Sequence, residues 1–422
     1  MQTMEHTKQV TILKELMRQI DEKVNVDAGV MYKSPTSVYT CPEIAGKEWE
    51  VLFRNHPQLI GLSGDLREPG SFLTIDDFGV PVLTTRDEEG RFRAFLNACR
   101  HRGVRVAQDD RGTRRRFVCP FHNWTYSSEG DLVGIPQQEH FGDVDKSCRG
   151  LIELPAVEKY GLLWVHPKVD GHIDIDELLG GLAPEIDSWK FGEDLIFQGE
   201  TVIEKRLNWK LANDTFGETY HFLKLHKDTL GQIFHGDVLH YEEFGRNHRF
   251  VIATRGIDLM REQPEERWDM LQGTSPLYFL FPNVQFSFGP DNVNLIKIYP
   301  HPDDPSRSLT RVAHYLTPEA LALAAAESDV QKVTAENVYD RDGFDRNYGE
   351  PVVFDISALF ETFDSTIEKE DYLMGETTQR AADNGTLDHV IFGRNEPALH
   401  HYHQHYRQAL GMAPLERFDG TK

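Results

Sequence analysis

Two short segments pair a cysteine with a histidine: Cys99-Arg100-His101 inside NACRHRGVRV, and Cys119-Pro120-Phe121-His122 inside CPFHNW. The chain has 422 residues and only four cysteines, so half of its thiols stand in this one pattern. Each arm offers one thiolate and one imidazole, and a fold that brings the arms together must present them as two facing loops. A structural zinc site uses the same four groups, but it usually draws both cysteines from one arm and both histidines from the other. One of each per arm suits a sulfide-bridged two-iron cluster, with cysteines on one iron and histidines on the second. Exchanging two thiolates for neutral imidazoles removes negative charge and raises the reduction potential. Trp124 and Tyr126 follow closely enough to shield such a cluster. Cys41 and Cys148 have no histidine at ligand spacing and are expected to be small buried side chains.

The surroundings of the two arms read as β-structure. From Ile44 to Pro167, short runs such as FLTIDDFGVPVLTT, RFRAFLNAC and YGLLWVHP are broken by Gly, Pro and Asp. Beyond them, helical stretches (DIDELLGGLAPEIDSW, NWKLANDTFGETYHFLKLH, TPEALALAAAESDVQKVTAENVY) alternate with strand-like LYFLFPNVQFSFG, VNLIKIYP and LTRVAHYL. The expected class is α+β: a small all-β domain over 44–167 and a larger domain of helices on an antiparallel sheet over 168–422. Residues 1–43 form a helical segment expected to pack on the larger domain.

A formal charge of −23, from 45 basic and 68 acidic residues, argues against nucleic acid as a partner. No apolar stretch approaches the roughly 20 residues of a membrane helix. The start MQTMEHTKQVTILKELMRQIDEKV lacks the pattern of a secretory signal. A cytoplasmic protein with free or metal-bound thiols is expected.

A second constellation lies in NWKLANDTFGETYHFLKLHKDTL, residues 208–230. His221 and His226 are five apart, which on an ideal helix leaves them roughly 140° apart, so the segment must loosen between them if they share a metal. Glu218 precedes His221 by three and can reach its outer nitrogen. Two imidazoles and one carboxylate with open positions make the facial triad of a non-haem Fe(II) site. In FETFDSTIEKEDYLMGETTQR the acids on offer are Glu361, Asp364, Glu368, Glu370, Asp371 and Glu376, among which chemistry alone does not choose. Phe216, Phe222, Leu223 and Leu230, with LYFLFPNVQFSF as a wall, would line an apolar cavity for substrate.

C-x-H…C-x-x-H followed by E-x-Y-H-x-x-x-x-H and E-D-x-x-x-x-E resembles the large (α) subunit of Rieske non-haem iron oxygenases, the ring-hydroxylating and demethylating family. The likeness spans residues 99–376, and GRNEPALHHYHQHYRQALG near the end is also similar. It implies a Rieske domain beside a helix-grip, START-like catalytic domain. Cys99, His101, Cys119 and His122 match the [2Fe–2S] ligands, and His221, His226 and Asp371 match those of a mononuclear Fe(II). Glu218 matches the acid that links a Rieske histidine, His122, to an iron histidine of a neighbouring subunit. Many relatives have aspartate there. Asp214 matches a polar position near the iron.

The resemblance further implies a terminal oxygenase that uses O2 on an aromatic or other apolar small molecule. Its alternative within the family is a monooxygenase that N-demethylates or hydroxylates an amine or quaternary ammonium compound. Outside the family, a zinc-stabilised binding module would use the same four cluster ligands. The implied assembly is a homotrimer or a multiple of it, with or without a small β subunit. Electrons would come ultimately from NAD(P)H through a ferredoxin or flavin reductase, since the chain has no dinucleotide fingerprint. The stretch RHRGVRVAQDDRGTRRR, seven arginines against two aspartates between residues 100 and 116, is a candidate docking site for an acidic donor.

Overall fold

The computed structural model describes residues 4–191, 195–325, 332–333, 353–354 and 356–420. The chain divides into two compact units: Gly46–Leu178 with Lys190–Asp194, and Met1–Ala45 with Leu179–Trp189 and Leu195–Lys422.

The smaller unit is built from short strands, as its Gly- and Asp-punctuated sequence requires. Ser71–Ile75, Val82–Arg86 and Phe92–Leu96 form an antiparallel meander, extended by Arg111–Thr113 on one side and Glu153–Leu154 on the other. Ala156–Lys159, Leu162–Val165 and Gln58–Leu62 make a second sheet, and Arg116–Val118, Thr125–Ser127 and Leu132–Gly134 a third. Alternate side chains such as Phe72, Leu83, Phe95, Phe117 and Leu132 point into one core, which also holds Cys99, Cys119, Trp124 and Tyr126.

The larger unit has a seven-stranded antiparallel sheet. Its spatial order is Ile196–Lys205, Ser308–Leu316, Asn292–Pro300, Val284–Phe288, Thr274–Leu280, Asn247–Thr254 and Phe234–Phe244. The last six are a sequential meander, and the first strand closes onto the last one made. Helices Ile356–Thr366, Tyr372–Asp383 and Pro397–Ala409 belong to the same unit, giving the α+β class. The amphipathic helix His6–Glu22 buries Ile12, Leu13, Leu16 and Met17. Strand Met31–Pro35 pairs with both His389–Phe392 and Glu416–Phe418. No described helix is long and apolar enough to cross a membrane.

Three expectations need correction. The helix expected across 208–226 is confined to Trp209–Asp214, capped by the Asn208 side chain, and residues 219–229 form successive turns. Gly217 and the polar run around it favour turns over helix continuation. Helix Pro318–Ala325 forms part of the one expected over 317–339, of which 326–331 and 334–339 lie outside the described residues. Cys41 is only half-buried and Cys148 is exposed; both thiols contact carboxylates, Glu43 and Asp145, which holds them in polar surroundings rather than in a core.

Arg249, fully buried on the sheet, is ion-paired with Glu185 and Glu242, and Tyr278 and Trp189 extend the network. Burial works against ionisation of Glu185, but Arg249 and the Tyr278 hydroxyl outweigh it and hold the carboxyl below its ordinary range. Removing one partner of such a network strands a buried charge. Arg249→Ala is therefore expected to cost about 3–5 kcal/mol in urea unfolding, and an unchanged midpoint would show that the pairs carry no weight.

Candidate metal centres

The two Cys-His arms fold as near-copies of each other. In the first, Cys99 N–H donates to the Val104 carbonyl and Gly103 N–H to the Cys99 carbonyl, both at 2.8 Å. In the second, Cys119 N–H donates to the Trp124 carbonyl at 2.8 Å and Asn123 N–H to the Cys119 carbonyl at 2.9 Å. Each loop closes through a left-handed residue, Gly103 at φ 76° and Asn123 at φ 59°, the two residue types that best tolerate that conformation. Asn97 holds the first loop from below, accepting from the amides of Val106 and Ala107 and donating to the Ala107 carbonyl.

The loops place like with like. The His101 and His122 rings are 4.6 Å apart, and Cys99 and Cys119 are buried in the same core cluster. His101 stacks on Trp124 at 5.0 Å, nearly parallel. The Tyr126 hydroxyl lies 3.3 Å from Cys99 Sγ and accepts from the Arg100 amide at 2.9 Å. Burial, with smaller contributions from His122 and Arg102, pushes the His101 pKa down, favouring the neutral, ligating form. The Nδ1 atoms of both histidines are buried without a hydrogen-bond partner. Two orphaned imidazole nitrogens beside two buried thiols fit a cluster with separate thiolate and imidazole ends.

Around His221 and His226 the turns replace helix, and this lets residues five apart converge. Nε2 of His221 and Nε2 of His226 lie 3.2 and 3.1 Å from the same atom, Asp371 Oδ1. These three residues form the one group, among the described residues, with three or more His, Cys, Asp or Glu ligand atoms within 4.8 Å of one another. His221 Nε2 is buried and faces Asp371 Oδ1 without hydrogen-bond geometry, so once deprotonated it can turn its lone pair to a cation. Asp371 ends a π-helical turn, Ile367–Asp371, an irregularity common at functional sites.

The other acids of that segment are engaged elsewhere or exposed. Asp364 meets His314, Glu368 pairs with Lys205, Glu376 accepts from the Arg206 amide, and Glu361 is exposed. Glu370 has a role that spacing did not reveal: its carboxylate sits 2.7 Å from His226 Nδ1 and accepts from Thr229 Oγ1 at 3.0 Å. It grips the ring edge opposite Asp371 and turns Nε2 inward, the usual outer support of a metal-bound imidazole. The only sequence cue was its place beside Asp371 in the E-D pair.

Glu218 makes the matching contact on His221 Nδ1 and also accepts from the Tyr220 and His221 amides. Asp214 instead meets His403 Nε2 at 2.8 Å and the Tyr39 hydroxyl at 3.2 Å, outside the three-residue group. The Phe222 ring packs 5.1 and 5.4 Å from the two histidine rings. It belongs to an apolar cluster with Leu239, Phe250, Ile252, Leu277 and Ala398, against which Phe216 and Leu230 pack. Leu223 is 51% exposed and leaves this wall, because the turns point it outward. Of the seven arginines at 100–116, Arg105, Arg111, Arg114 and Arg115 are paired with Asp76, Asp65, Asp109 and Glu88, so much of that basic charge is locally neutralised.

The catalytic-domain model of ring-hydroxylating α subunits matches residues 193–412, and the Rieske [2Fe–2S] model matches 56–158. The chain belongs to the ring-hydroxylating α-subunit family. It is 29% identical over 201 residues to the anthranilate 1,2-dioxygenase large subunit of Acinetobacter baylyi, covering 46% of this chain and 43% of the relative. It is 28% identical over 187 residues to the glycine betaine monooxygenase oxygenase subunit of Chromohalobacter salexigens, covering 44% and 41%. The chain thus spans less than half the length of these curated relatives. In fold it is similar to the quaternary ammonium Rieske monooxygenase CntA, with a TM-score of 0.71, 18% identity and coverage of 90% and 96%. It is likewise similar to naphthalene 1,2-dioxygenase from Rhodococcus sp., with a TM-score of 0.64, 18% identity and coverage of 95% and 98%.

Burial works against protonation of His221, but the Asp371 and Glu218 carboxylates beside its two nitrogens win and raise its pKa to about 10. His226 is raised for similar reasons, and the two imidazoles beside it depress Asp371 despite its burial. Without metal, His221 therefore keeps its proton well above neutrality, and a divalent ion must displace it. Affinity for Co(II), measured by calorimetry, should rise about tenfold per pH unit between pH 6 and 8. A flat profile would mean that no proton is exchanged at the triad.

Proposed function

We propose that this chain is the terminal oxygenase component of a Rieske system, acting with O2 on an apolar small molecule. The carrying observation is the pair of separate donor sets in one chain: two thiols with two orphaned imidazole nitrogens, and two imidazoles facing one carboxylate oxygen. A zinc-stabilised module accounts for the first set at most. Cys99, Cys119, His101 and His122 would hold a [2Fe–2S] cluster, and His221, His226 and Asp371 a mononuclear Fe(II). When bound, the cluster supplies one-electron storage and the ferrous centre, with open coordination positions, supplies redox chemistry toward O2.

The chain's own residues then have distinct tasks. Glu370 fixes the tautomer and tilt of His226, and Asp371 supplies the charge that makes both imidazoles good donors. Phe222 and the cluster around it exclude water from one side of the triad and offer an apolar face to substrate. Glu218 stands at the outer nitrogen of His221, where a carboxylate can connect that imidazole to His122 of a neighbouring copy. That role calls for a cyclic homotrimer or a multiple of it, with or without a β subunit. A ferredoxin or flavin reductase delivers the electrons. Arg100, Arg102 and Arg116, which make no ion pair among the described residues, are the part of the basic stretch left to attract it. The free cysteines suit a cytoplasmic setting.

A quaternary ammonium or other amine substrate is the second reading. It is favoured by the resemblance to glycine betaine monooxygenase and CntA and by glutamate rather than aspartate at 218. Oxygen uptake with panels of arenes, aromatic carboxylates and quaternary amines separates the two, and no uptake on any panel would count against an oxygenase.

Glu218→Gln should keep both metal centres at native content while turnover falls by about 10- to 100-fold, as expected when an outer partner of a metal site is lost. Native turnover would remove Glu218 from the mechanism. Asp371→Ala should abolish mononuclear iron while the cluster keeps its visible absorption, and full iron retention would assign the carboxylate ligand elsewhere.

A further inference from the structure

We propose that the turn carrying Asp371 is held by a two-point clamp on a single strand, with Thr310, Tyr372, His314 and Asp364 as positioning residues for the metal ligand. This rests on reading His221, His226 and Asp371 as the iron site.

The first point is a bond between the hydroxyls of Tyr372 and Thr310, 2.7 Å apart and fully buried. The second is His314, whose Nε2 lies 3.1 Å from both carboxylate oxygens of Asp364. His314 is itself fixed by Nδ1 at 2.9 Å from Oδ1 of Asn294, its neighbour on the next strand, and by the Phe360 ring stacked at 4.1 Å. Thr310 and His314 are both on strand Ser308–Leu316, and being four apart they project from one face. The spans agree: four strand residues cover about 13 Å, and the eight residues from Asp364 to Tyr372 cover about 12 Å of helix.

Between the two clamped residues lies the π-helical turn Ile367–Asp371. On a regular helix at about 100° per residue, Asp371, seven after Asp364, would come within about 20° of Asp364's face and look toward the strand. Tyr372 would sit about 80° away. A wider turn absorbs roughly one extra residue. That hands the strand-facing seat to Tyr372 and swings Asp371 about 100° aside. The contacts agree: Tyr372 bonds the strand, while Asp371 Oδ1 faces His221 and His226. The clamp thus sets the rotation of the ligand about the helix axis, and the irregular turn is what satisfies both seats at once.

The test uses the full chain with its cluster oxidised, and so silent in electron paramagnetic resonance, and its mononuclear metal replaced by Mn(II). The Mn(II) signal then reads affinity and coordination geometry without turnover. Thr310→Val and Tyr372→Phe, which keep shape and remove one hydroxyl each, should weaken Mn(II) binding about tenfold and alter the bound spectrum. Thr310→Ser, which keeps the hydroxyl, should restore native affinity and spectrum. His314→Gln should behave like the first two if it folds, and the hydroxyl variants decide the matter if it does not. Native affinity and spectrum in both hydroxyl variants, or a loss in Thr310→Ser equal to that in Thr310→Val, would overturn the clamp. Asp371→Ala separates this from the underlying reading: Mn(II) binding that survives there sinks the iron site itself, whereas loss there with unaffected hydroxyl variants sinks only the clamp.

Discussion

One carboxylate oxygen facing two buried imidazoles is the constraint on which the larger unit depends. Asp371 is 8% exposed, yet its ionised form is favoured, so positive charge has to stand beside it. Protons on His221 and His226 can supply that charge, and so can a divalent ion. The sequence separations involved, 145 residues between His226 and Asp371, mean that only a rigid tertiary frame can meet the demand. The antiparallel sheet, the turns at 219–229 and the π-helical turn together form that frame.

The smaller unit solves a different problem. Its donor atoms come from two loops only twenty residues apart, so local geometry does most of the positioning. Matched backbone bonds, one left-handed residue per loop, and the Asn97 side chain fix the loops before any inorganic group is added. The cysteines are drawn into the apolar core while the histidine rings stay half-exposed, giving the unit an inner and an outer end.

What could be read from the sequence follows from range. The Cys-His arms, the strand texture, the amphipathic first helix and the convergence of His221 with His226 are local patterns, and they were legible. The loosening of the chain between those histidines follows from their angular separation once they are taken to share a metal, although its extent does not: polar residues and Gly217 end the helix at Asp214. Long-range partners left little trace. Glu370 on His226, Asp214 on His403 and Asp364 on His314 join residues more than forty positions apart, and composition cannot say which acid meets which imidazole. The outward turn of Leu223 and the exposure of Cys148 were missed because apolar character marks a tendency to burial, while backbone direction decides it.

The small unit is almost one uninterrupted stretch, whereas the large unit takes pieces from before and after it and seals strand Met31–Pro35 between segments near residues 390 and 417. During synthesis the inserted stretch can mature while the ribosome is still far from the end. The surrounding unit cannot close until its final strand emerges. Cluster loading and iron loading would then be separated in time by translation itself, and a ribosome stalled late would leave a chain able to accept sulfide-bridged iron but without a finished ferrous site.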